Sequence, residues 1–118
     1  MKIFVFDIDG TICSNTFGEY EKAEPIKARI NTINALYNSG NTIIFQTARG
    51  MGSSNNDSLI AIEKWREFTL SQLEDWGVKY HKLYFGKPAG DIYIDDKGEK
   101  DTHFFENYLG KDDQFKFD

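Results

Sequence analysis

Cysteine is almost absent from this sequence: of 118 residues, Cys13 alone carries a thiol. No intramolecular disulfide can form, so packing and hydrogen bonds must hold the fold. Long apolar runs are missing too. Nowhere do about 18 apolar residues occur together, and no membrane span or membrane partner is expected. The opening MKIFVFDIDG has an apolar stretch too short for a signal-peptide core, and two aspartates break it. A reducing cytoplasm is the expected location. A basic excess is also lacking, since Asp and Glu outnumber Lys and Arg by 19 to 14, for a net charge of -5. Without a basic stripe, tracking along a nucleic-acid backbone is not expected. Binding of a small anion is not excluded, because a metal ion and one lysine can reverse the sign locally. There is no internal repeat, and the length leaves no room for a second core, so a single domain over 1–118 is expected.

What is present suffices for a real core. The chain is 40% hydrophobic and 15% aromatic, with ten Phe, which argues against disorder. Lys2 to Asp7 is a short run rich in Ile, Val and Phe that ends in an acid. Such a run predicts a strand buried on both faces, as in a parallel sheet. Gly10 to Glu24 is irregular and polar, and reads as a loop or flap. Pro25 suits the first turn of a helix carrying Ile26, Ile30, Ile33 and Tyr37, closed by Gly40. Thr42 to Gln46 is a second buried strand. Thr47 to Asp57 is a Gly- and Ser-rich loop. Ser58 to Trp76 carries a helical apolar stripe, with Asp57 or Ser58 as N-cap and Gly77 beyond its end. A third strand is expected at Leu83 to Phe85. A turn, GKPAGD, then leads to a fourth at Ile92 to Ile94, followed by Asp95-Asp96. One short helix is expected after Lys97.

Strands alternating with helices predict an α/β, Rossmann-like domain with a mainly parallel sheet flanked by helices. Ligands of such sheets sit beyond the carboxyl ends of the strands. Asp7 ends the first strand, Thr47 follows the second, Lys87 follows the third, and Asp95-Asp96 end the fourth. All four positions therefore fall on one edge.

Those groups match the needs of phosphate-monoester cleavage: a nucleophile, a proton for the leaving alcohol, and positive charge on the equatorial oxygens. Asp7 could attack phosphorus to give an aspartyl phosphate. Asp9 could protonate the leaving oxygen and later activate water. Two close carboxylates repel, so a divalent cation or a raised pKa is expected, and magnesium suits an all-oxygen site. Gly10 lets the chain turn sharply. The Thr47 hydroxyl and the Lys87 charge could hold phosphate oxygens.

These residues resemble the four motifs of the haloacid dehalogenase superfamily: Phe4 to Thr11, Thr47 in FQTAR, Lys87 in FGKP, and Asp95-Asp96 in YIDDK. The resemblance covers residues 3 to 97 and implies a domain without a cap. It implies Asp7 as nucleophile and Mg2+ ligand, and Asp9 as acid/base whose carbonyl also binds metal. It further implies that Asp96 completes the metal site, while Asp95 orients water or Lys87. Dehalogenases lack the second aspartate, so Asp9 favours phosphate chemistry. A narrower resemblance, through TARGM, Leu-x-x-Trp-Gly-Val, Lys-Pro-x-Gly-Asp and Ile-Asp-Asp-Lys, is to short phosphatases of capsular polysaccharide biosynthesis. It implies a small, sugar-linked phosphorylated substrate.

The remaining residues divide the readings. Gly10, Thr47, Ala48, Arg49 and Lys87 are the substrate-binding candidates. Arg49 either grips a second anion or sugar carboxylate, or caps a helix or joins a surface ion pair. Cys13 has no Cys-x5-Arg loop after it and reads as a half-buried spectator. His81 and His103 lie too far apart for a metal site. Trp65, Trp76 and the Phe-rich tail read as core or interface, and a homo-oligomer would use the tail aromatics. Residues 12 to 22 and 50 to 57 are the expected specificity elements. Two other functions compete: a nucleic-acid end phosphatase, and a phosphate-binding protein that has lost turnover.

Overall fold

The computed structural model describes residues 1–108; the tail aromatics Phe115 and Phe117, and the end of the expected domain, lie outside them. Three strands form one parallel sheet in the order β1-β2-β3: β1 Ile3–Phe6, β2 Thr42–Thr47 and β3 Lys82–Phe85. Ile3 to Phe6 run beside Thr42 to Phe45, and Ile44 to Thr47 beside Lys82 to Phe85. That register brings the carboxyl ends of all three strands to one edge, as the sequence pattern implies.

Helices α1 (Lys27–Asn38) and α2 (Ser58–Asp75) follow β1 and β2, and α3 (Asp101–Tyr108) follows β3. Asp57 caps α2, its side chain accepting from the Leu59 and Ile60 amides. Pro25 sits before α1 rather than in its first turn, in an isolated bridge with Cys13. Strand alternation turns Phe4, Phe6, Ile43 and Phe45 to the same face. There Phe6 meets the Phe104 and Phe105 rings of α3 at 5.6 and 6.0 Å. Ile30, Ile33 and Leu36 of α1 and Leu73 of α2 complete the core. The opposite sheet face leaves Ile3, Val5 and Tyr84 more than half exposed. No helix among the described residues is long and apolar enough to cross a membrane.

The fourth strand expected at Ile92 to Ile94 does not form. Ile92 and Ile94 are 79% and 95% exposed, and β1 remains an edge strand among the described residues. The reason is local. The Tyr93 hydroxyl donates to the Pro88 carbonyl at 2.6 Å and accepts from the Gly90 amide at 2.9 Å. The segment is thereby tied to its own turn, and a three-residue strand offers few ladder bonds in competition.

The short helix expected after Lys97 does form, and Arg29 fastens it to α1. The guanidinium reaches Asp101 Oδ2 at 2.7 Å and the Thr11 carbonyl at 2.9 Å, and lies over the Phe105 ring. Burial alone would raise the Asp101 carboxyl, but the bond to Arg29 and its charge outweigh it and hold the group below its ordinary value. A lowered carboxyl adds stability above its unfolded pKa, and that stability is lost as pH falls through the folded value. Asp101→Asn should therefore cost about 1–2 kcal/mol at neutral pH. In urea titrations, the gap from wild type should close below about pH 4; a gap unchanged at pH 3 would contradict the assignment.

Candidate active site

Beyond the carboxyl ends of the strands lies a cleft of about 540 Å³ whose lining includes Asp7, Asp9, Ala48 and Arg49. Asp7 directly follows β1. Its Oδ1 accepts from the Ile8 amide at 2.9 Å, and its Oδ2 takes a bond from Lys87 Nζ at 3.1 Å. Lys87 follows β3, its amide bonded to the Thr47 carbonyl, and its ammonium lies 4.3 Å from the centre of the Tyr93 ring. The expected nucleophile and the expected phosphate-binding lysine therefore meet from the two outer strands.

Asp9 lies two residues on, in a tight turn in which Gly10 adopts φ +81°. Arg49 takes hold of it bidentately: Nε donates to Oδ2 at 2.9 Å, and a terminal nitrogen donates to Oδ1 at 3.0 Å. The other terminal nitrogen donates to Thr69 Oγ1 of α2 at 3.2 Å, and the guanidinium lies 4.9 Å from the centre of the Tyr20 ring. The Arg49 side chain has no exposure, and Asp9 keeps 18%. Neither sequence reading of Arg49 anticipates this. It is not a surface ion pair, and its donors face Asp9 and Thr69 rather than open cleft.

The loop that carries Arg49 is fixed against α2. Gly50 is buried at φ +76°, and a Cβ there would come within 2.8 Å of the Trp65 ring and 3.1 Å of Ala61 Cα. Its amide donates to the Tyr20 hydroxyl at 2.9 Å. Thr47 is wholly buried, and its hydroxyl accepts from the Arg49 amide at 3.1 Å, so it braces the loop from beneath. Cys13, expected to be half-buried, has no exposure; its thiol sits 3.6 Å from Asp9 Oδ1. Burial, then the Asp9 charge, pushes that thiol up to about 12 despite the opposing charge of Arg49.

Asp95 and Asp96 are not brought to Asp7 and Asp9. Both are exposed, and no group of three or more His, Cys, Asp or Glu that could hold a metal occurs among the described residues. The Tyr93 tether accounts for this, since it ties the residues before them to the Pro88–Gly90 turn. The Lys97 amide bonds to the Asp95 carboxylate at 2.9 Å and lowers its pKa. The remaining donors, the Asp7 carboxylate and the Asp9 carbonyl, are oxygens of the kind magnesium takes alongside phosphate oxygens and water. His81 and His103 stand apart, as expected: His81 accepts from the Ile43 amide, and His103 pairs with Glu99. The cleft also takes in Phe17, Tyr20, Lys64 and Trp65. Trp65, which reads as core or interface by sequence, thus joins the wall, while Phe17 and Tyr20 from residues 12 to 22 and Gly52 and Ser53 from residues 50 to 57 lie in the expected specificity elements.

No protein-family model matches the chain, and no curated protein does. Solved structures do resemble it. A structural-genomics target from Vibrio cholerae aligns at 24% identity with a TM-score of 0.81, over 89% of this chain and 88% of that one. The D,D-heptose 1,7-bisphosphate phosphatase from B. bronchiseptica, complexed with magnesium and phosphate, aligns at 15% identity with a TM-score of 0.52. That match covers 83% of this chain and 54% of the phosphatase, about half its length. What these likenesses share with the chain is its fold, a parallel α/β sheet flanked by helices.

Removing Arg49 would leave Asp9 uncompensated in a mostly dry setting. Arg49→Met should lower the unfolding free energy by about 3 kcal/mol, and by less where Asp9→Asn is already present. Equal losses in both backgrounds would show that the two groups are uncoupled. Native Cys13 should resist iodoacetamide at pH 8.5 and react promptly once unfolded; native labelling at the unfolded rate would contradict its burial.

Proposed function

We propose that this chain is a phosphomonoesterase that works through an aspartyl-phosphate at Asp7. The observation that carries the reading is the Asp7–Lys87 pair at 3.1 Å, set in the same cleft as Asp9 at the strand ends. In the first step an Asp7 oxygen forms a bond to phosphorus as the bond to the leaving oxygen breaks, and Asp9, one of its oxygens released from Arg49 and carrying a proton, gives the leaving oxygen that proton. In the second, Asp9 takes a proton from water, whose oxygen attacks phosphorus. The bond to Asp7 breaks, and inorganic phosphate leaves. Lys87 draws the transferring group toward Asp7, and Arg49 fixes the direction of the Asp9 carboxylate.

Magnesium, held by Asp7 and by Asp9, would supply positive charge against the phosphoryl oxygens. The resemblance adds Asp96, with Asp95 behind it. For either to join Asp7, residues 91–96 must leave the position that the Tyr93 bonds give them. Thr47, buried beneath the loop, acts in this reading by shaping the Ala48–Arg49 turn. The sequence likeness to capsule-pathway phosphatases favours a small sugar-linked phosphate in the cytoplasm as substrate.

The deciding assay is phosphate release from a panel of sugar phosphates, with and without magnesium. Asp7→Asn should lower kcat at least about a thousandfold, and Asp9→Asn by about a hundredfold. EDTA should silence the wild type. Equal release by wild type and Asp7→Asn would remove Asp7 as the nucleophile.

A further inference from the structure

Four charged side chains line the cleft: Asp7, Asp9, Arg49 and Lys64. The first three are balanced, Asp7 by Lys87 and Asp9 by Arg49. Lys64 is different. It projects from α2, is exposed, and makes no ion pair or hydrogen bond among the described residues. Its ammonium lies 5.9 Å from the centre of the Trp65 ring, at the outer limit of a cation–π interaction. Trp65 meets Tyr20 edge to face at 4.6 Å, and the two rings line the same cleft as Lys64.

We infer that Lys64 is a specificity residue that binds a second anionic group on the substrate. The inference rests on the phosphomonoesterase reading for the position of the first anion. The charge arrangement carries it further. A phosphate at Asp7 meets a floor whose charges already cancel, whereas the far wall offers an uncompensated positive charge. A neutral sugar phosphate would leave that charge in water. A substrate with a carboxylate or second phosphate would engage it, while its ring lay against Tyr20 and Trp65. The sequence gives this task to Arg49 in one of its readings; the structure takes Arg49 away from it and leaves Lys64.

The test compares glucose 6-phosphate, 6-phosphogluconate and fructose 1,6-bisphosphate on the full chain. Binding is measured by calorimetry on the Asp7 protein treated with EDTA, which stops turnover and leaves Asp7 paired with Lys87; magnesium is restored for turnover assays. Wild-type Lys64 should favour the two anion-bearing ligands over glucose 6-phosphate. Lys64→Gln should reduce that preference about three- to tenfold, and Lys64→Arg should restore most of it. A loss confined to one of the two ligands would identify the anion as carboxylate or phosphate. In turnover assays on the Asp7 protein, the same loss should appear in KM rather than kcat. An unchanged preference in Lys64→Gln would overturn the inference. Preferential binding without turnover of any substrate would instead overturn the phosphatase reading and leave Lys64 in place.

Discussion

The bidentate bond between Arg49 and Asp9 is the contact on which the cleft depends. Both groups leave much of their hydration behind, which costs several kcal/mol per ion unless the remaining donors and acceptors are met. Here they largely are met: two nitrogens serve Asp9, a third serves Thr69, and the Tyr20 ring covers a face of the guanidinium. One side chain thus joins the turn after β1, the loop after β2, the body of α2 and the short 3-10 turn at Tyr20–Lys22. Arginine suits this position because its planar fork fixes direction as well as charge, which a lysine ammonium would not. A carboxylate so held has little rotamer freedom left, and an acid/base group gains from that restriction.

Sequence alone carried the parts of this arrangement that depend on strand ends. Short Ile-, Val- and Phe-rich runs, the first closed by Asp7 and the second by Thr47, locate β1 and β2, and parallel pairing then places Asp7 and Lys87 together although 80 residues separate them. Arg49 is another matter. Its partner lies 40 positions away, and nothing in TARG distinguishes a buried fork from an exposed one. The signal available was indirect: a glycine directly after the arginine, at a position where any side chain would strike Trp65. The segment at Ile92 to Ile94 misleads because its alternation is that of a strand. The competing bonds come from one tyrosine hydroxyl, which no periodicity reports.

Charge placement links the fold to the chemistry. A net charge of -5 suggests a molecule that repels phosphate, yet the two cleft acids each have a cation within hydrogen-bond distance. Local pairing decides what an incoming anion meets, and the overall sum has little bearing at this range because distant surface charges are screened. The Tyr20 ring against Arg49 lowers the local polarity beside the Asp9 pair and strengthens it further.

The parallel arrangement of β1, β2 and β3 has a consequence for how the protein comes into being. Each parallel pairing closes a long loop, so this sheet has the high contact order of a slow folder. On the ribosome, Asp7 emerges 80 residues before Lys87. Asp9 and Arg49 can meet as soon as β2 has joined β1, whereas the lysine partner of Asp7 arrives with the last strand. A nascent chain stalled before β3 would therefore have paired Asp9 with Arg49 while Asp7 was still without Lys87.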